Sequence, residues 1–296
     1  MTAAARGPRV VAVGGGHGLA ATLRAARRYA GHTTAVVATA DDGGSTGRLR
    51  SALDMPAPGD VRRCVEAMAE DNGTALAAAL EYRFAGSDVE GHALGNLLLA
   101  GLHATSGDFA AAVDELSRLV GLDPATGRVL PATVDPVVLR AEVTGGRRIT
   151  GQVAIARTVG VARVVVEPPT ARVPDEVVDA LAEADQVVLG PGSLFTSVLA
   201  AAVVDDVRDA VKRSSARTVY VANVRAEAGE TRGYDVAAHV AALRRHGIEP
   251  DVVVAQRAAL PVGEPGVDVV EADVVRPNGL AHDPTLLAAV LAALVG

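Results

Sequence analysis

Six short runs in this chain are apolar without alternation and stop at turn signals: "RVVAV" (9–13), "TAVVATA" (34–40), "RVVVEPP" (163–169), "DQVVLGPGS" (185–193), "RTVYVANV" (217–224) and "PDVVVAQ" (250–256). A strand wetted on one face alternates polar and apolar residues, whereas a strand covered on both faces has no reason to. Helical patterns at 19–30, 174–184, 205–215 and 235–247 fall among these runs. Strand–helix alternation of this kind predicts an α/β fold, a Rossmann-like, mostly parallel sheet with helices on both faces. Two stretches interrupt it. Residues 60–121 read as consecutive helices, a helical insert, and residues 128–166 as short β-segments around a "TGGRR" turn, a small β insert. With no Pro/Ser-rich linker and no repeat, residues 1–296 are expected to form a single domain. Aromatic residues make up 2% and tryptophan is absent, so the core must be built from Val, Leu and Ala.

Composition narrows the function classes. A net charge of −7 disfavours non-specific nucleic-acid binding and an anionic membrane surface. Cys64 is the single cysteine, which leaves no intramolecular disulfide and no thiolate metal cluster. Lys212 is the single lysine, so Schiff-base or P-loop lysine chemistry has one candidate. The longest apolar run, "LLAAVLAALV", falls short of the ~20 residues that span a bilayer. The start of the chain lacks a charged-then-apolar leader pattern. A cytoplasmic protein is the expectation.

Two glycine loops follow strands. In "VVAVGGGHGLAATL", Gly16-x-Gly18-x-x-Ala21 fits the dinucleotide fingerprint, with Gly15, Gly16, His17 and Gly18 at the mouth of a helix. Backbone amides and the helix N-terminus can meet a phosphate there. No Gly-Lys-Ser/Thr follows, so the loop is not a Walker A motif. Asp41 ends the second strand, near where a ribose-binding acid belongs. The same fingerprint keeps an NAD-dependent oxidoreductase open. In "VVLGPGSLFTSVLA", Gly190 and Gly192 end a strand, Ser193 stands where it can cap the next helix, and the amides offer a second anion site. Two such loops in separate halves of one sheet predict one diphosphate ligand spanning a crevice.

The remaining polar residues form smaller groups. Asp41 and Asp42 precede Gly43, Gly44 and Ser45. Asp41 is expected to accept from ribose or sugar hydroxyls. Asp42 is expected to brace the Gly44 or Ser45 amides, or to hold Mg²⁺ on the diphosphate. "PAPGDVRRC" presents Asp60 as an N-cap with Arg62 and Arg63 in the first helical turn, where basic side chains call for an anion or an acid. His92 and Asn96 form an i, i+4 pair on an otherwise apolar helix, and Asn223 ends a strand before a loop with Glu227, Glu230 and Thr231.

Taken together, "GGGHGL" (14–19), "ADDGGSTGRLR" (40–50), "PAPGDVRRC" (56–64), "GHALGNLLLAGL" (91–102), "GPGSLFTS" (190–197) and "AGETRGYD" (228–235) resemble the YvcK family of gluconeogenesis factors, within the CofD-like superfamily of 2-phospho-L-lactate transferases. The six segments occur in the family's order and span nearly the whole chain. The resemblance implies a single CofD-like domain that binds UDP-sugars such as UDP-N-acetylglucosamine, with a role in cell shape and peptidoglycan metabolism on gluconeogenic carbon sources. It also implies room for a dinucleotide in the same cleft, and it brings no established reaction. Phosphate contacts would fall on Gly15, Gly16 and Gly18, with Gly192 and Ser193 across the cleft and Asp41, Asp42 and Asn96 between. Three positions depart from the family pattern: His17 replaces a usual Thr, Arg63 a usual Asn, and Ala281 an arginine expected to meet the phosphates.

The expected protein is therefore a nucleotide-sugar-binding regulator rather than an efficient enzyme. A homodimer and protein partners in cell-wall metabolism are further expectations. The rivals are a Mg²⁺-dependent transferase of the 2-phospho-L-lactate type and an NAD-dependent dehydrogenase.

Overall fold

The computed structural model describes residues 7–69, 73–225 and 227–295. Seven strands form a parallel sheet: β1 (Arg9–Gly14), β2 (His32–Val37), β3 (Gly127–Pro131), β7 (Gln186–Leu189), β8 (Arg217–Val221), β9 (Val252–Gln256) and β10 (Asp268–Ala272). Their spatial order is β10-β9-β8-β7-β1-β2-β3. A smaller antiparallel sheet holds β5 (Arg148–Thr150), β4 (Val138–Val143) and β6 (Val161–Glu167), in that order. The helices are α1 (Gly16–Ala26), α2 (Gly44–Leu53), α3 (Pro58–Ala69), α4 (Ala75–Ala79), α5 (Leu94–Ser106), α6 (Phe109–Leu119), α7 (Gln152–Ala156), α8 (Asp175–Ala182), α9 (Leu199–Ala202), α10 (Asp205–Arg213), α11 (Val236–Arg245) and α12 (Pro284–Ala293). A π-helical turn, Leu194–Val198, runs into α9. Among the described residues, no helix is long and apolar enough to cross a membrane.

The unbroken apolar runs are explained by burial on both faces of the large sheet. Along β1, Val11 and Val13 enter a core shared with Val198, Leu199 and Val187, while Ala12 faces Leu19, Leu23 and Val61 on the opposite side. Small Val and Ala side chains let helices sit close to both faces. Helices α3, α5 and α6, read in sequence as an insert, form the helical layer over β1, β2 and β3: Val65, Leu99 and Phe109 share one cluster with Ala35 and Val129.

Two expectations change, and one strand is not read from the sequence at all. "RVVVEPP" is β6 of the small sheet and is buried on one face only, because Val164 and Val166 point inward while Arg163 and Val165 lie in solvent. Three valines in a row concealed the alternation. Residues 128–131, assigned to the β insert, belong to β3 and extend the large sheet beside β2. The β insert proper begins at Val138. Strand β10 has no unbroken apolar run and is half exposed at the sheet edge, where two-sided burial leaves no signal.

Candidate nucleotide-binding cleft

The strand order reverses at β1, which has β2 on one side and β7 on the other. Helices leave such a point in opposite directions and open a crevice at the strand carboxyl ends, the usual ligand position in open α/β sheets. Both glycine loops lie there. Gly16 has φ +67°, a left-handed conformation that lets β1 turn into α1 without a β-carbon penalty. The loops touch: a β-carbon on Gly18 would fall 1.8 Å from the Pro191 carbonyl oxygen. Thr22, one turn along α1, donates its hydroxyl to the Gly190 carbonyl at 2.7 Å. The first helix thus fixes the second loop.

Hydrogen bonding separates the loops chemically. Among the described residues, no acceptor in the chain takes the backbone N–H groups of Gly15, Gly16, His17 or Gly18, all in the loop or first turn of α1. These are the orphan donors of a helix N-terminus, and they point where an anion binds. The second loop differs from the anion site expected of it. Its Gly192 amide donates to Asn223 Oδ1 at 3.1 Å, and the Phe195 amide donates to Glu230 Oε1 at 2.8 Å. Ser193 caps no helix with its side chain; its hydroxyl donates to Glu227 Oε1 at 2.8 Å. Internal acceptors thus hold two of the amides that a second phosphate would meet. Glu230 is 1% exposed, and burial pushes its carboxyl up to about 7, beside Thr196 and within the field of Glu227.

The loop brace expected of Asp42 is made by Asp41 instead. Asp41 makes the turn, accepting from the Gly43 amide at 2.9 Å. Asp42 reaches across 111 residues and accepts from the Val153 amide at 2.9 Å, capping α7 of the β insert in place of bracing Gly44 or Ser45. Gly151 leaves room for it, since a β-carbon there would meet Asp42 Oδ2 at 2.4 Å. Burial raises the Asp41 carboxyl, with Asp60 and Asp42 adding negative charge. Asp60 lies in the first turn of α3, whose helix already begins at Pro58, so it is not the N-cap. Its Oδ2 would stand 2.6 Å from a β-carbon on Gly15, and Arg63 pairs with its Oδ1 at 2.6 Å. The acid loop therefore adjoins the open amides of the first loop through Asp60. Among the described residues, no group of three or more His, Cys, Asp or Glu side chains is arranged to hold a metal ion.

Other expected residues are committed to packing. Arg62, 1% exposed, is ion-paired with Glu66 and Glu81 beneath α4 and α5, and its stem fills the space that Gly95 vacates. Asn96 Nδ2 donates to Ser45 Oγ at 3.1 Å, and Ser45 Oγ lies 3.0 Å from His92 Nδ1. His92 precedes α5, so this is a bracket between α2 and α5, not a pair on one helix face. Gly44, exposed with φ +46°, starts α2.

The cleft between the loops encloses about 680 Å³, with His17, Gly18, Gly192, Ser193 and Asn223 on its walls. His17 is held below its ordinary pKa by the Arg63 charge and by partial burial, so its imidazole is neutral at pH 7. Sequence reasoning named Glu227 without a role and passed over His282 and Ala156; all three line the cleft. Burial pushes His282 down to about 4, and its Nε2 has no hydrogen-bond partner. Ala156 ends α7 and presses on the 227–231 loop, where a Gly229 β-carbon would meet its carbonyl oxygen at 1.9 Å. No local spacing connects these three; only the fold brings them to one wall.

Comparison with known proteins agrees with this architecture. The family model described as 2-phospho-L-lactate transferase CofD matches residues 10–275. A Mycobacterium tuberculosis protein named "Putative gluconeogenesis factor" is 44% identical over 95% of this chain and 89% of its own. A Halalkalibacterium halodurans protein named "Gluconeogenesis factor" is 40% identical over 89% of this chain and 80% of its own. A crystal structure of a upf0052-family protein from Bacillus halodurans superposes with a TM-score of 0.90 at 34% identity, covering 97% of this chain and 99% of the other. The chain belongs to the CofD family and, within it, to the gluconeogenesis factors of the YvcK group.

Proposed function

We propose that this protein binds a nucleotide-diphosphate sugar of the UDP-N-acetylglucosamine type in the cleft, and that it acts as a regulator of cell-wall and gluconeogenic metabolism rather than as an efficient enzyme. The observation that carries the reading is the row of open amides from Gly15 to Gly18 at the sheet's switch point, of which His17 and Gly18 line a cleft of about 680 Å³. A diphosphate there completes the helix N-terminus, and the rest of the nucleotide sugar extends toward the second loop. The names of the relatives support the gluconeogenic role. Thermal melting with UDP-N-acetylglucosamine and with NAD tests the ligand. At ~100 times its Kd a ligand adds roughly 2.7 kcal/mol, which for a chain of this length is a rise of about 5–10 °C. A rise with NAD and none with any UDP-sugar would turn the reading to an oxidoreductase.

A second reading, a Mg²⁺-dependent transferase, rests on Asp41 and Asp60. The Asp60 carboxylate adjoins Gly15 and the Asp41 carboxylate lies within its field, and hard oxygen donors of that kind suit Mg²⁺ on a diphosphate. In that reading Asp41 and Asp60 hold the ion, which supplies charge neutralisation on the phosphates.

A further inference from the structure

The wall of the cleft under β7 and β8 carries carboxylate and imidazole acceptors beside the exposed Arg225, whereas the wall formed by α1 offers backbone donors. On the α1 side the unspent groups are donors, the amides of Gly15 to Gly18. On the β8 side Asn223 Oδ1 and Glu230 Oε1 are already engaged with the Gly192 and Phe195 amides. Three side chains there keep unspent capacity, one of them the exposed guanidinium of Arg225. Glu227, half-buried and lining the cleft, is held through Oε1 by the Ser193 hydroxyl, and among the described residues no donor takes its Oε2. His282 is 5% exposed, lines the same cleft and carries a buried Nε2 without a partner. Buried polar atoms in folded proteins are nearly always paired, so an orphan in a cleft wall asks for a ligand atom.

A carboxylate oxygen repels phosphate and accepts from hydroxyl or ring N–H groups. The His282 ring donates to the Ala222 backbone through its other nitrogen, so Nε2 is left as an acceptor to which a ligand hydroxyl can donate. We propose that Glu227, positioned by Ser193 and with His282 beside it, is the residue that recognises the hydroxyl-bearing sugar portion of the ligand and so sets the ligand's direction in the cleft, phosphates on α1 and sugar hydroxyls against β8. This assignment rests on the nucleotide-sugar reading for the identity of the ligand, but not for its chemistry. Glu227 does not serve as a phosphate contact, and Ser193 acts through Glu227 rather than on a phosphate.

Calorimetric titration of the full chain tests this, comparing wild type with Glu227→Ala and Glu227→Gln against UDP-N-acetylglucosamine, NAD and inorganic pyrophosphate. Losing charge-assisted hydrogen bonds to hydroxyls weakens UDP-N-acetylglucosamine roughly 10–100-fold in Glu227→Ala. Glu227→Gln, which keeps one acceptor, falls between. Pyrophosphate, with no hydroxyl-bearing part, binds both variants at least as tightly as wild type. Matching far-UV spectra and melting points show that the half-exposed substitution leaves the fold intact. If wild type binds NAD but no UDP-sugar, and Glu227→Ala weakens NAD, the nucleotide-sugar reading falls and the role of Glu227 stands. If Glu227→Ala binds every hydroxyl-bearing probe as tightly as wild type, or more tightly, Glu227 is a brace or an obstacle and the proposal is overturned. Failure of wild type to bind any of the three probes overturns both.

Discussion

Gly18 and Pro191 meet without room for one more carbon: a β-carbon on Gly18 would lie 1.8 Å from the Pro191 carbonyl oxygen. Because Gly18 belongs to α1 and Pro191 to the loop after β7, this contact joins the two halves of the sheet at the point where the cleft opens. Thr22 reinforces it through the Gly190 carbonyl.

The Gly18→Ala variant should therefore lose both stability and binding. The obstacle is backbone, which cannot rotate aside, so overpacking costs roughly 1–3 kcal/mol or more. Gly101, in the middle of α5 with open space around it, provides the control. Replacing a helical glycine by alanine there should stabilise by about 0.5–1 kcal/mol. Urea denaturation of the two variants gives the comparison. Equal stability for both would mean that the loops do not touch in solution.

Asp42 is predicted to matter for folding and little for ligand charge. It caps the Val153 amide, so Asp42→Ala should cost about 1 kcal/mol, as lost N-caps do. Because α7 carries Ala156 to the rim of the cleft, binding should weaken to the same extent with Mg²⁺ and with EDTA. Calorimetry in the two buffers checks this, and a loss confined to Mg²⁺ would instead make Asp42 a metal ligand.

Much of this arrangement was legible in the chain, and the limit has a physical cause. Strands buried on both faces announce themselves as runs such as "RVVAV", and glycine loops after such strands mark the crevice. What the sequence left dark is who pairs with whom across distance. Asp42 reaches Val153, Ser193 reaches Glu227, and Arg62 turns away from the loops toward Glu66 and Glu81. A side chain's local spacing states its chemistry but not its partner. Strand β6 was misplaced for a related reason, since consecutive valines look alike whether one face or two are covered.

Glu230 predicts a pH dependence of stability with a defined sign. Its carboxyl titrates near 4.5 when unfolded and, through burial, at about 7 in the folded chain. Between those values the native state holds a proton that the unfolded state has released, so stability falls as pH rises through the window. The shift corresponds to roughly 3 kcal/mol between pH 4.5 and 7 at the usual 1.36 kcal/mol per unit. Glu230→Gln keeps an acceptor for the Phe195 amide and abolishes that slope. Its stability relative to wild type should climb across the window in chemical denaturation, and parallel pH profiles for the two proteins would refute the assignment.

Asp41 is the acid whose charge should matter to the ligand. Its Oδ1 holds the Gly43 amide, and Asn at this position keeps that oxygen, so the turn survives the substitution. The carboxylate is unusual in its cost: burial and the nearby Asp60 and Asp42 charges all raise its pKa. A cation or a donor beside Asp41 would offset that burial and that repulsion. In the nucleotide-sugar reading Asp41→Asn should weaken binding by about 1.5–3 kcal/mol with or without Mg²⁺, the scale of a charge-assisted hydrogen bond. In the transferase reading the loss should appear only with Mg²⁺, and Asp60→Asn should reproduce it. Calorimetry on both variants in Mg²⁺ and in EDTA separates the two. Unchanged affinity in both buffers would leave Asp41 as the turn-former that its bond to Gly43 already makes it.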